Sequence, residues 1–269
     1  MLDASKLSGK RIAVSVSDSP DLAQLGLSSQ HLHQAMAEIA QYLLASGAHL
    51  IYGGDLRANG FTSILFELAA RYQNRSAESR VMFTNYLPWA THVGKSSDEL
   101  LTIQEEVEPY GKLVLLSEHG KEMPLKKKKK IADEKPSPAA WAACLTAMRD
   151  VTTEVADARV LLGGSVSGFL GSMPGIAEEA LFNIRKKKPT YLLGGFGGCA
   201  SDIVETIAGS RRHSKRVWAG RKNFKAVTVK DLVNGLSPKR NEHMSTSPFL
   251  EVIIPYLLSG LDHKLNGRQ

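Results

Sequence analysis

Residues 160–200 read VLLGGSVSGFLGSMPGIAEEALFNIRKKKPTYLLGGFGGCA. An apolar strand runs into glycines. A helix then begins at Pro174-Gly175 and carries Glu178 and Glu179 in its first turns. A second apolar strand runs into four glycines set around Phe196. This is the order of a βαβ unit. In an open parallel sheet, ligands bind outside the carboxyl ends of the strands. Glycine at a strand end lets backbone N–H groups approach a phosphate that a side chain would hold away.

The same alternation extends outward from this unit. Arg11 to Ser17 is a β-branched run and the first predicted strand. Ser28 to Ser46 has helical apolar spacing through Leu32, Met36, Ile39, Ala40 and Leu43, and Gly47 ends it. His49 to Tyr52 is a short strand, Phe61 to Tyr72 a helix, and Val81 to Tyr86 a third strand. A short helix is expected near Glu99 to Glu106, and a strand over Leu113 to Leu116. Pro138 to Ala156 reads as a long helix with Trp141, Leu145, Met148 and Val155 inside, and Gly198 to Ala208 as another. After Gly209 the pattern weakens until the apolar stretch from Phe249 to Leu261.

These elements predict one Rossmann-like α/β domain, with a mainly parallel sheet and helices on both faces. Residues 1–10 are a lead-in and 11–210 the domain. Within it, 118–138 is expected to be an exposed lysine-rich loop. Residues 211–269 form a C-terminal extension that packs on the core or on a dimer partner.

The chain has 269 residues, 43% of them hydrophobic and 23% charged, as in an ordinary globular protein. No apolar run approaches the ~20 residues of a membrane helix, so no membrane partner is expected. The N-terminus lacks the order of a secretory signal. Two cysteines, Cys144 and Cys199, make no disulfide framework. A cytoplasmic location is the expectation. The net charge of +7 is uneven, with cations at Lys126 to Lys130, Arg185 to Lys188 and Arg211 to Lys225. A nucleic-acid surface is one reading, but no aromatic residues interleave the lysine run for base stacking. A small anionic ligand would equally favour a positive field.

Three glycine-rich strand exits carry the candidate chemistry. The first strand's exit, position 16 within Ser15-Val16-Ser17, is a candidate ligand contact. After the second strand come Gly53, Gly54, Asp55 and Arg57, then Gly60 and Thr62 where a helix begins. Free N–H groups there would hold phosphate, Arg57 would supply a forked contact, and Asp55 would accept from ribose or pair with Arg57. The alternative is a tight turn with a local Asp55–Arg57 pair. The second exit offers Gly163, Gly164, Ser165, Pro174 and Gly175 as a phosphate cradle, with Glu178 or Glu179 in the site. Adjacent helical residues lie ~100° apart, so only one of the two glutamates can face the strand ends, and Glu179 is favoured. The bland reading is two carboxylates answering a helix dipole. The third exit offers Gly195 and Phe196, which would stack on a base or plug the core. No HExxH, paired CxxC or Walker motif occurs, and the histidines do not cluster. Neither metal nor cofactor is expected.

DARVLLGG leading into PGIAEEA, with YGGDLR…GFT and PTYLLGGFGG, resembles the SLOG superfamily over about residues 10 to 210. This Rossmann-like group includes LOG phosphoribohydrolases ("lysine decarboxylase-like" proteins), DNA-processing protein A and cytoplasmic domains of melastatin channels. The motifs look closest to bacterial SLOG families of uncharacterised or defence-associated proteins. Some of those are fused to effector domains and bind nucleotide-derived signals. The resemblance implies a nucleotide-derived ligand, a homodimer or higher homo-oligomer, and an effector protein as partner. LOG enzymes carry PGGxGTxEE. Here Gly175, Glu178 and Glu179 match that pattern, while Ile176 replaces the threonine. Arg149 is the nearest match to their catalytic arginine, one residue out of register. The resemblance therefore implies binding in a sensing or regulatory role first. The alternative is N-glycosidic hydrolysis of a nucleoside 5′-monophosphate, with Glu179, Glu178 and Arg149 catalytic. A nucleic-acid-binding module comes third.

Overall fold

The computed structural model describes residues 6–54, 56, 60–73, 81–108, 110–125, 135–209 and 216–267. In chain order the sheet strands are β1 (Arg11–Ser17), β2 (His49–Gly53), β3 (Phe83–Leu87), β4 (Gly111–Leu116), β5 (Glu122–Met123), β6 (Ala158–Gly163) and β7 (Thr190–Leu193). They order as β5-β4-β3-β2-β1-β6-β7, and all pairs are parallel except β4–β5. The chain steps outward from β1 to β4, then returns to lay β6 on the other side of β1. The order reverses between β1 and β6, which is the switch point where α/β sheets open a crevice.

Both faces are covered, as a parallel sheet requires. Helices α1 (Ser29–Ala45) and α2 (Phe61–Gln73) pack on one face, against Val14, Leu50, Phe83 and Val160. Helices α3 (Trp89–His92) and α4 (Ser97–Val107) follow β3, and the capping box of Ser96 and Glu99 starts α4. On the opposite face lie α5 (Pro138–Val155) and α6 (Gly175–Arg185). Met148 of α5 meets Ala13 and Ile51, while Ala177 and Ala180 of α6 meet Leu161 and Leu192. Helix α7 (Gly198–Ile207) flanks β6 and β7.

Several elements differ from the sequence reading. The third strand begins at Phe83, and Glu122–Met123 pairs with β4 inside the stretch expected to be an exposed loop. The lysines at 126–130 lie outside the described residues. After residue 216 come two 3₁₀ turns (Arg221–Phe224 and Val229–Leu232), then α8 (Pro238–Thr246) and α9 (Leu250–Asn266). Helix α8 escaped notice because it is polar, with Asn241, Met244 and Ser245 as its buried residues. Ile253, Ile254, Leu257 and Leu261 of α9 enter the same core as α1, so much of this apolar stretch is covered by its own chain.

Two basic clusters have local partners. Lys186 ion-pairs with Asp150 and Glu154. Lys188 Nζ donates to the carbonyls of Thr153, Glu154 and Ala156, which closes the C-terminal end of α5. Arg216 forks onto Asp21 (2.6 and 2.8 Å) and reaches Asp202 at 3.3 Å. Asp21 also accepts from the Gly198 N–H at 2.7 Å, so it caps α7. Burial pushes the Asp21 carboxyl up, but the Arg216 fork and the Gly198 N–H outweigh it and leave it below its ordinary value. A depressed carboxyl stabilises the fold above the unfolded-state pKa of about 3.9. That contribution is lost as pH falls through the folded-state value. Asp21→Asn should therefore cost about 1–2 kcal/mol at pH 7. The gap between the two melting curves should close as the pH is taken below about 4.

Candidate functional site

The carboxyl ends of β1, β2, β3 and β6 open into a cleft of about 430 Å³. Ser17 ends β1 and Asp18 follows it, Gly53 ends β2 and Gly54 follows it, and Pro88 and Thr91 follow β3. Ser165 and Ser167 to Leu170 come from the loop after β6. A further wall is α5, which presents Trp141, Leu145, Met148 and Arg149, with Gly175, Ile176 and Glu179 of α6 beside it. A larger surface groove of about 630 Å³ lies between α7 and the 221–224 turn. Among the described residues no strand end lines it, so the switch-point cleft is the candidate site.

The glycines after β2 and β6 are fixed by close packing. A Cβ on Gly54 would lie 2.1 Å from the Tyr52 ring and 2.9 Å from Thr62 Oγ1. A Cβ on Gly53 would strike the Met148 thioether at 2.8–2.9 Å. Both glycines nevertheless line the cleft. Gly163 and Gly164 do not: they hold positive φ (+68° and +97°) and pack under the strand ends. The Gly164 N–H donates to Ser17 O at 2.9 Å and its carbonyl accepts from Cys199 N at 2.7 Å. The phosphate cradle expected at Gly163 and Gly164 is thus corrected: the Gly164 amide is committed to the sheet. Ser165 and Gly175 do reach the cleft.

Arg149 lies flat across the start of α6. A Cβ on Gly175 would be 2.8 Å from its Nη2, and a Cβ on Gly171 would be 2.7 Å from its Nη1. Small residues there are what admit the guanidinium. Nη1 donates to Glu178 Oε2, while Thr146 Oγ1 donates to Glu178 Oε1 at 2.7 Å. Both Glu178 oxygens are therefore used, and this carboxylate holds Arg149 rather than lining the cleft. Among the described residues, Arg149 Nη2 has no carboxylate partner.

Glu179 is one helical step round and does line the cleft. Its Oε1 pairs with Arg159 Nη1 at 3.2 Å. Arg159 is the second residue of β6, 1% exposed, with Nη1 donating to Ser15 Oγ (2.8 Å) and Nη2 to the hydroxyls of Thr152 and Thr153 (3.0 and 3.2 Å). Burial pulls this guanidinium below its ordinary value; Glu179 opposes that and nearby Arg149 adds to it. The four charges of Arg149, Glu178, Arg159 and Glu179 sum to zero, which is what lets them be buried together.

The remaining expected contacts separate. At position 16, Val16 lines the cleft with Ser17, while the Ser15 hydroxyl serves Arg159 on the α5 side. Gly60 and Thr62 start α2 and stand back from the cleft: the Gly60 carbonyl accepts from Ser63, and Thr62 is buried. Pro174 precedes α6 as its N-cap, and its carbonyl accepts from the Glu178 N–H. Gly195 and Phe196 are a correction. A Cβ on Gly195 would lie 2.1 Å from Ser247 O, and Phe196 is 2% exposed in the main core. The third exit is a packing joint, decided by a segment fifty residues downstream. Asp55 and Arg57 lie outside the described residues. Burial, reinforced by Asp202, pushes the Cys199 thiol up to about 12, so it is an inert core residue.

Sequence reading placed Arg149 of α5 in the site but missed the apolar residues beside it. Trp141 and Leu145 have the spacing of a buried stripe, yet they face the cleft half-exposed. Phe169 and Arg159 were also missed. A signal existed for Arg159: a cation inside an apolar strand needs a buried carboxylate. Among the described residues no group of three or more His, Cys, Asp or Glu side chains is placed to hold a metal ion. Among them, too, no helix is long and apolar enough to cross a membrane.

Comparison with known proteins agrees with this architecture. No curated protein sequence matches the chain. A family model described as SLOG cluster2 matches residues 6–229, from the residues before β1 through α7 and into the C-terminal segment. The matched span includes every strand and both charged helices of the cleft, so this chain belongs to the SLOG cluster2 family.

Proposed function

We infer that the chain binds a nucleotide or nucleotide-derived ligand in the switch-point cleft, in a sensing or regulatory role. One observation carries this reading: the lining of the cleft combines charged groups (Arg149, the first turn of α6 and Glu179) with the apolar and aromatic side chains of Trp141, Phe61, Phe169, Leu145 and Met148. Phosphate would meet Arg149 and the α6 amides, ribose hydroxyls would meet Glu179, and a base would lie on the aromatic side chains. Membership of a SLOG family supports a nucleotide-related ligand of this kind. An ADP-ribose-type signal has the same three parts, and a role in bacterial defence with an effector partner follows the resemblance. A homodimer belongs to the same proposal.

Hydrolysis is the second reading, because a carboxylate, Glu179, and a cation, Arg149, both line the cleft. A carboxylate so placed would activate water against an N-glycosidic bond. A nucleic-acid role has less support, because Lys186, Lys188 and Arg216 are engaged by their own chain.

The test is calorimetry with AMP, ADP-ribose, NAD and cyclic ADP-ribose, followed by chromatography of each mixture. Binding with all nucleotides recovered intact is the expected result. Release of free base that disappears in Glu179→Gln would make the chain a hydrolase. Failure of every nucleotide to bind would sink the reading altogether. Trp141→Ala should weaken binding about ten- to a hundredfold if a base stacks there. Wild-type tryptophan fluorescence should change on titration, and most of that change should vanish in this variant.

A further inference from the structure

Arg159 is the one cation of the buried quartet that does not line the cleft, and the recognition scheme gives it no contact with ligand. We propose that Arg159 is a positioning residue: its guanidinium fixes the Glu179 carboxylate as the acceptor of ribose hydroxyls. The proposal rests on the reading of the cleft as a nucleotide site.

Stability alone does not account for this residue. A charge on a buried strand is costly to desolvate, and a well-packed apolar side chain of similar size is usually as good or better. Arg159 occupies such a position, with all six residues of β6 buried. Its Nε is sealed from solvent without a hydrogen-bond acceptor, a further cost.

The cost secures orientation. The guanidinium is held from three elements at once: Ser15 of β1, Thr152 and Thr153 of α5, and Glu179 of α6. A planar fork tied at both Nη atoms cannot rotate. Glu179 Oε1 is bound to that fixed point; among the described residues Oε2 makes no hydrogen bond, and Glu179 lines the cleft. One oxygen is anchored and the other is presented. Thr152 and Thr153 also donate their hydroxyls to Arg149 O, at 3.1 and 2.7 Å. The same buried cation is thereby tied to the helical turn that carries Arg149. Two charges of the cleft take their positions from one residue outside it, as second-layer groups do at preorganised sites.

The experiment compares AMP with 2′,3′-dideoxy-AMP by calorimetry. Wild-type protein should prefer AMP about tenfold or more, the worth of hydroxyl contacts to a charged acceptor. Glu179→Gln should lose most of that preference. Arg159→Met should lose it as fully, without ever touching ligand, and the double variant Arg159→Met/Glu179→Gln should lose no more than either. Arg159→Lys keeps the charge but cannot span Ser15, the threonines and Glu179 together. It should retain a reduced preference, and it carries the test if Arg159→Met does not fold. An unchanged AMP preference in Arg159→Met or Arg159→Lys overturns the positioning role and leaves nucleotide binding standing. Loss in the double variant equal to the sum of the single losses also overturns it, because independent residues add. Absence of binding by the wild type to AMP and to the other nucleotides overturns both.

Discussion

Arg149→Met is expected to abolish high-affinity ligand binding and to destabilise the fold. The side chains of Arg149 and Glu178 are only 10% and 4% exposed. Removing one partner leaves a buried carboxylate unpaired, which costs about 3–5 kcal/mol. For a chain of this size that corresponds to a fall in melting temperature of roughly 6–15 °C. The lost contact to phosphate should weaken binding a further ten- to hundredfold. The two effects separate in Arg149→Met/Glu178→Gln, which removes both charges of the pair. Its melting temperature should recover most of the loss, while its affinity should stay low. If affinity recovers with stability, Arg149 is a structural residue and phosphate rests elsewhere.

Gly163→Ala should have an effect of similar size on stability for a different reason. Gly163 ends β6 at φ +68°, and a Cβ there would lie 2.4 Å from the Ser17 carbonyl oxygen at the end of β1. The conformation alone costs a non-glycine residue about 1 kcal/mol. The overlap with backbone cannot be relieved by a rotamer change, so the total should exceed about 3 kcal/mol. Gly9→Ala supplies the control. Gly9 holds φ +76° with nothing within 4 Å of an added Cβ. It should show the conformational cost alone. Displacement of Ser17 and Asp18, both at the cleft, should also weaken nucleotide binding in Gly163→Ala. Equal melting temperatures for the two variants would refute the close approach of β1 and β6 on which the switch point is built.

These two residues also mark where sequence reading succeeds and where it stops. The strands read from 11, 49, 113, 159 and 190 are visible because apolar runs of four to seven residues end at turn residues, and that signal is local. The glycine exits are visible for the same reason. Their purpose is not. Gly53 and Gly54 line the cleft, Gly163 and Gly164 serve the strand junction, and Gly195 serves the segment at Ser247. All five look alike in sequence, because what a glycine makes room for lies on another element. The stripe of Trp141, Leu145 and Met148 is similar. Helical periodicity shows that these residues share a face, but cannot distinguish a core from a cleft.

From the sequence alone follow the alternation of strands and helices, the parallel sheet, and the identity of the end at which its glycine-rich exits open. Each of these depends on residues within one turn or one strand of each other. The tertiary structure alone decided that Glu179 faces the cleft while Glu178 holds Arg149, that Phe196 is core, and that Arg159 lies beneath the site. Arg149 and Glu178 are 29 positions apart, and Arg159 and Ser15 are 144. A charge finds its partner through packing, and no local pattern of residues records a contact made across the sheet.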